Sequence, residues 1–268
     1  MLAKILDKIN KTNPRMTKRL MAVAVVLMFS TAFSGSTSIT EIPIKKEQKL
    51  LAELNNFEVK RTELTFEDKV GMLYDTFKDK SESMPLLGTF ENAMKGYYKL
   101  EDEGKVKNKI LTIIDFDLSS KKKRFWVLDM EHQEVIFNTY TSHGKNSGWE
   151  FAKTFSNAVN SHKSSLGFYV TGETYYGKNG LSLFIDGMEK NFNSNARKRY
   201  VVIHGSDYVT EKFIDSRGRA GRSYGCPAIP RLISKEIINT IKGKSVVYIN
   251  KSSKDYLSGS TFLNEKAS

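Results

Sequence analysis

The chain has 268 residues, of which 40% are hydrophobic and 27% charged, with a formal net charge of +12 and one cysteine. These proportions belong to a folded chain with an ordinary core and exclude a disordered or low-complexity polymer. A lone cysteine excludes an intramolecular disulfide framework, so the fold stands on its core. The basic balance invites nucleic acid as a partner, but no nucleic-acid-binding module accompanies it, and none is expected.

Much of the charge sits at the start. Lys4, Lys8, Lys11, Arg15, Lys18 and Arg19 stand against Asp7 alone, followed by an apolar run from Leu20 to Phe33 and the small residues Ser34, Gly35 and Ser36. Residues 1–34 therefore read as a secretory signal peptide, or as an uncleaved N-terminal anchor. The apolar run is shorter than the roughly 20 residues that span a bilayer comfortably. Cleavage would lower the formal charge from +12 to +7. An exported chain is expected in the periplasm or cell envelope. Its remaining charge suits peripheral association with a polyanionic wall polymer or membrane surface, or simply a soluble surface. A single thiol in an oxidising compartment is a liability unless it is buried or used.

Residues 35–104 read as a polar linker to about Gln48 and then a helical region. Thr65 precedes Phe66, Val70, Leu73 and Phe77, with Asp68 three residues after the threonine. That spacing predicts an amphipathic helix with a capping-box start. Ser83, Met84 and Pro85 break it. A second helix is predicted from Thr89 to about Glu103, with Phe90, Ala93, Met94, Tyr97 and Leu100 facing a core and Gly104 as the stop.

From Ile110 the texture changes to short β-branched and aromatic segments. Strands are predicted at 110–116, 124–130, 135–140, 167–171, 181–185, 200–203 and 246–249. One late helix is predicted from Ser234, as N-cap, to Lys242, stopped by Gly243. The pattern is mainly β, a sandwich or barrel-like domain at 105–250, with a boundary near 105 and a frayed polar tail at 251–268.

The chemistry concentrates in Tyr200 to Pro230. His204 and Gly205 end an apolar strand, where a side chain is expected at the rim. Cys226 lies in Ser223-Tyr224-Gly225-Cys226-Pro227. Pro227 lacks an N–H, so this is a turn or edge. A cysteine of ordinary pKa, about 8.5, needs a base or cation to become a thiolate at neutral pH, and histidine supplies both. The Gly225 and Cys226 N–H groups are candidate oxyanion donors. On residues alone a second reading stays open, with Cys226 a small buried apolar side chain and His204 a satisfied rim histidine.

Ser-x-Gly-Cys downstream of His-Gly resembles the murein L,D-transpeptidase catalytic domain, in particular the subgroup with Gly-Cys-Pro-Ala. The segments 112–116 (TIIDF), 143–148 (HGKNSG), 165–176 (SLGFYVTGETYY), 180–187 (GLSLFIDG) and 202–206 (VIHGS) agree with it. The likeness runs from about Glu91 to Tyr248. It implies an L,D-transpeptidase-like β-sandwich or barrel with an N-terminal helical segment. It also implies Cys226 as nucleophile, His204 as base, Gly225 and Ser223 as motif residues, no metal or cofactor, and peptidoglycan stem peptides as substrates. The thiolate would attack the carbonyl after meso-diaminopimelate in a tetrapeptide, expel D-alanine and pass the acyl group to an amine, forming a 3–3 cross-link. Such an enzyme would be a carbapenem target.

Two departures from the usual family pattern matter. Tyr224 stands where most members have histidine, and Ala228 where they have arginine. The grip on the substrate carboxylate is then expected from Arg222 or Arg219, with Tyr224, Gly205 and His143 as further candidate cleft residues. His132 reads as a surface turn, and His162 receives no role. Water in place of the amine would make an L,D-carboxypeptidase. A non-catalytic wall-binding protein is the alternative from another class, opposed by the intact His204 and Cys226 pair. A papain-like protease is disfavoured by the order, His before Cys.

Overall fold

A computed structural model of the chain describes residues 64–264. The expected signal or anchor, the linker, residues 49–63 of the predicted helical region and residues 265–268 of the predicted tail lie outside these. The chain divides into two units, one ending at Thr62 and one running from Glu63 to Ser268. The second contains both the helical region and the strands, so residues 64–104 are not a separate part. Among the described residues no helix is long and apolar enough to cross a membrane.

Helix α1 (Phe66–Lys80) starts as predicted. The Thr65 hydroxyl accepts from the Asp68 N–H, and the Asp68 carboxylate accepts from the Thr65 N–H. Val70 and Phe77 form its buried stripe, and Phe77 meets Phe90 edge-on. Helix α2 (Leu87–Asp102) begins two residues earlier than predicted, with Thr89 inside its first turn. That threonine is buried and its hydroxyl donates to Asp115. Phe90, Ala93, Met94, Tyr97 and Leu100 are all buried as the spacing predicts. Gly96 is needed there for contact, since a Cβ would lie 2.1 Å from the Phe168 ring. The loss of helix propensity, about 1 kcal/mol, is offset by this close packing.

The core is one eight-stranded mixed sheet in the order β3-β2-β1-β8-β4-β5-β6-β7. Its strands are β1 (Ile110–Asp115), β2 (Phe125–Asp129), β3 (Glu134–Thr139), β4 (Gly167–Gly177), β5 (Gly180–Gly187), β6 (Val202–Ser206), β7 (Ala228–Pro230) and β8 (Val246–Asn250). Every residue of β1, β6 and β8 is buried, as expected for apolar strands covered on both faces. Edge strand β3 alternates instead. The chain leaving β3 crosses to the opposite edge. Ser142 N–H donates to the Ala228 carbonyl oxygen at 2.9 Å, and the Ala228 N–H donates to Ser142 Oγ at 3.2 Å. The mainly β, barrel-like expectation therefore holds, with the sheet nearly closed by this crossing.

Helix α3 (Glu211–Arg217) and helix α4 (Arg231–Ile241) flank β6 and β7 in sequence, and α4 packs on β6. The predicted cap of α4 is corrected. Ser234 lies inside the helix and donates to the Arg231 carbonyl oxygen, while Pro230 takes the N-cap position. The frayed tail is corrected too. Residues 254–264 form α5 (Lys254–Gly259) and α6 (Thr261–Asn264), burying Tyr256, Phe262 and Leu263. The buried Glu189 carboxylate ties them down by accepting from Tyr256, Ser260 and the Phe168 N–H.

Candidate active site

Strands β6 and β7 pair in parallel, with His204 opposite Ala228, Gly205 opposite Ile229 and Ser206 opposite Pro230. Cys226 precedes β7 by two residues, so the pairing brings the cysteine turn to the start of β6. There its Sγ donates to the Tyr200 carbonyl oxygen at 3.5 Å, and the Val202 N–H lies against the sulfur. Tyr200 has φ of +54°, a left-handed conformation costly for an aromatic residue, and this ends the loop before β6 rather than starting the strand.

His204 is not at a rim. It lies in the middle of β6 with only 5% of its surface exposed. Its Nδ1 is 3.1 Å from the Gly205 carbonyl oxygen. A carbonyl only accepts, so Nδ1 carries the proton and Nε2 keeps its lone pair as a base. Burial holds the imidazole pKa below its ordinary value, assisted by the charges of Arg231 and Lys178, while the Gly205 carbonyl opposes them. Burial pushes the Cys226 thiol up, and the Val202 N–H and the Arg199 charge oppose it. At neutral pH both groups therefore rest uncharged.

The turn itself is locked by Ser223. Its hydroxyl accepts from the Gly225 N–H at 3.0 Å and donates to the Cys226 carbonyl oxygen at 2.6 Å. This corrects one expectation. The Gly225 N–H is occupied within the turn, leaving the Cys226 N–H as the remaining candidate oxyanion donor of the pair. Gly225 has φ of +126°, and a Cβ there would lie 2.8 Å from the Lys163 carbonyl oxygen. Only glycine lets the turn close so tightly. Gly205 is likewise not a cleft residue, because a Cβ would lie 2.4 Å from Ser234 Oγ beneath α4.

His143 is also corrected. It is 1% exposed and faces inward, with Nδ1 2.9 Å from Arg124 Nη2. Arg124, itself fully buried, also donates to the Thr141 and Leu118 carbonyl oxygens. Burial and the Arg124 charge push the His143 pKa down to about 3. The role of His143 in the site is through its backbone: its carbonyl oxygen accepts from the Ser223 N–H, and Lys145 N–H donates to the Ser223 carbonyl oxygen.

Arg219, Arg222 and Tyr224 do come together. They line an open cleft of about 370 Å³ with Lys145, Tyr208 and Phe213, and no acidic residue is among the lining groups. Both guanidinium groups lie over the Trp149 ring, at 4.0 and 4.3 Å from its centroid. Such stacking orders the two guanidinium planes. Lys145 Nζ lies 4.5 Å from the centroid of the exposed Tyr224 ring, and the His162 ring packs beside it at 4.6 Å. The Tyr208 ring lines this cleft and packs over Gly221. Sequence reasoning missed Tyr208, Trp149, Lys145, Arg124 and Arg199. Of these only Trp149, exposed beside a glycine turn, carries a local signal.

The family profile of the L,D-transpeptidase catalytic domain matches residues 83–250, which hold α2, all eight strands and the cysteine turn. The chain belongs to the L,D-transpeptidase catalytic domain family. The match begins before Glu91 and so takes in α2, which agrees with the packing of that helix against β1 and β8. No curated protein sequence gives a significant match. Among solved structures, an L,D-transpeptidase from Mycobacterium smegmatis is similar at 13% identity and a TM-score of 0.34, over 53% of this chain and 59% of that one. One from Mycobacterium tuberculosis H37Rv shares 11% identity at a TM-score of 0.33, over 53% and 58%. One from Stackebrandtia nassauensis shares 15% at 0.30, over 68% and 77%. The chain thus spans less than two thirds of the length of the mycobacterial chains. Among the described residues of this family member, no group of three or more His, Cys, Asp or Glu side chains is arranged to hold a metal ion.

Proposed function

We propose that this chain is an exported murein L,D-transpeptidase that works through a thioester on Cys226. The observation that carries the reading is the parallel pairing of β6 and β7 within a member of this family. It puts the cysteine turn beside a strand whose buried histidine has Nδ1 tied to a carbonyl and Nε2 left as a base.

His204 Nε2 takes the thiol proton, and the sulfur attacks the carbonyl carbon after meso-diaminopimelate in a tetrapeptide stem. The Cys226 N–H steadies the resulting oxyanion. As the C–N bond breaks, the imidazolium returns its proton to the departing D-alanine amine. An acceptor amine then attacks the thioester, gives its proton to His204 and releases the thiol, leaving a 3–3 cross-link. Arg219, Arg222 and Lys145 draw the carboxylates of the stem peptide into the cleft, the part that Ala228 leaves open where most of the family has arginine.

Incubation of the full chain with purified disaccharide-tetrapeptide, followed by product analysis, tests this reading. Cross-linked dimer with released D-alanine is expected. Tripeptide alone would mean that water resolves the thioester, making the chain an L,D-carboxypeptidase. Neither product, from folded protein with its thiol reduced, would leave a wall-binding protein.

A further inference from the structure

Arg199 stands in the loop before β6 and has no part in the chemistry above. Its Nη1 donates to the Ser156 carbonyl oxygen at 2.7 Å and to Ser165 Oγ at 3.2 Å. Its Nη2 donates to the Lys163 carbonyl oxygen at 2.5 Å and to Ser161 Oγ at 3.3 Å. Every one of these acceptors is neutral. Two residues earlier Arg197 pairs with Asp186 and Glu173, and Arg231 pairs with Asp207. Arg199 is thus a half-buried guanidinium whose geometry is fully specified but whose charge no carboxylate balances among the described residues.

The cysteine turn is built to lie against it. A Cβ on Gly225 would come 2.8 Å from the Lys163 carbonyl oxygen and 3.2 Å from Arg199 Nη2, the two atoms of one hydrogen bond. Gly225 at φ +126° therefore lets the backbone next to Cys226 rest on the Arg199–Lys163 contact. The Gly225 carbonyl oxygen accepts from Ser164 Oγ at 3.2 Å, holding the same loop to the turn. Three titratable groups near the site are neutral at pH 7. His204 on β6 is held deprotonated by burial, and Tyr208 in the turn after β6 is a phenol. Tyr169 on β4, behind Arg199, is a buried phenol bonded to Ser165. Lys178 and Arg231 bear on His204.

We propose that Arg199 is a positioning residue that holds a permanent positive charge against the Cys226 turn and stabilises the thiolate that His204 generates. The need for it follows from the burial of His204. A buried imidazole resists becoming imidazolium, so the usual thiolate–imidazolium pair lacks a willing cation. An arginine supplies one that does not depend on pH. Its neutral hydrogen bonds aim the charge without cancelling it. The inference rests on the proposed nucleophile, and it adds a group that lies outside the cysteine motif.

The test is the pH dependence of iodoacetamide alkylation of the only thiol in the full chain. Arg199→Gln keeps N–H donors for the Lys163 carbonyl and removes the charge. It is expected to raise the apparent thiol pKa by about one unit or more, as for loss of an opposite charge nearby. Alkylation at pH 7 then slows by roughly tenfold while the limiting rate at high pH is unchanged. Arg199→Lys keeps the charge and is expected to restore most of the shift. Ser161→Asp, which offers the guanidinium a carboxylate, is expected to move the pKa upwards relative to Ser161→Asn. It decides the matter if Arg199→Gln does not fold. Titrations that superimpose on the wild type, or a lower limiting rate with no shift, would overturn the proposal. The titration reads the thiol whether or not it is the nucleophile. D-alanine release that survives Cys226→Ala would remove the nucleophile reading and leave the Arg199 result standing.

Discussion

The Ser223 hydroxyl donates to the Cys226 carbonyl oxygen at 2.6 Å while accepting from the N–H of the intervening Gly225. The motif serine thus closes the turn that presents the thiol, with its own backbone fixed on both sides by His143 and Lys145. Removing it leaves a buried donor and an acceptor without their partner. Ser223→Ala is expected to cost about 2 kcal/mol of stability. D-alanine release from disaccharide-tetrapeptide should fall at least roughly tenfold, since a small misplacement of a reacting atom is costly. Thermal melts and turnover measured on the same sample check both.

The His204 environment fixes the direction of the pH profile. Burial lowers its pKa, so the neutral base persists to more acid pH than an ordinary histidine would. The acid limb of kcat/KM is expected below the usual histidine value of about 6.5. His204→Gln should lose roughly a hundredfold or more in kcat/KM with the fold retained. A limb at or above that value would contradict the burial argument.

Arg124 holds the chain that crosses from β3 to β7. Arg124→Met strips donors from the Thr141 and Leu118 carbonyl oxygens and from His143 Nδ1, all buried. It is expected to destabilise by roughly 3 kcal/mol. In a domain of this size that is a fall of about 10 °C in Tm. A scanning-calorimetry comparison with wild type measures it.

His143 makes a separate prediction about acid stability. Its folded pKa of about 3 lies well below the unfolded value, so on acidification the unfolded chain takes up the proton first. The stability linked to His143 is whole above about pH 6.5 and is lost as the pH falls towards about 3. His143→Gln, which keeps an acceptor for Arg124, should flatten this slope in urea titrations at stepped pH. Asp115 and Glu189, whose carboxyl pKa values are raised by burial, act in the opposite sense, and the difference between the two proteins removes them.

The cleft cations make a prediction about binding. Arg222→Ala also removes bonds to the Lys145 and Gly148 carbonyl oxygens, so Arg219→Ala, whose Nη1 bonds only its neighbour Ala220, is the cleaner probe. Arg219→Ala is expected to raise KM for the tetrapeptide several-fold with kcat little changed. Steady-state kinetics with free and amidated stem peptides separate charge recognition from packing, because the amidated donor should lose less.

What was legible in the sequence had local causes. The Thr65 and Asp68 capping box marked α1, and β-branched runs marked β1, β2 and β8. The start of α2 was hidden because its cap, Leu86, offers no side-chain bond. Strand β4 runs on to Gly177 because its far half alternates in burial, which hides its length. In the tail, Tyr256, Phe262 and Leu263 were the signal of packed helices among polar neighbours. The cysteine turn and His204 were legible as a motif. Arg124 and Arg199 were not, since the acceptors of Arg199 lie 34 to 43 residues away in sequence and only the folded chain assembles them.

Intact-mass spectrometry of wild type and Cys226→Ala after exposure to disaccharide-tetrapeptide, and separately to a carbapenem, tests the central claim most directly. The account predicts a covalent adduct on the wild type alone, with D-alanine released from the peptide sample. An adduct of equal yield on Cys226→Ala, or none on folded wild type with a reduced thiol, would contradict it.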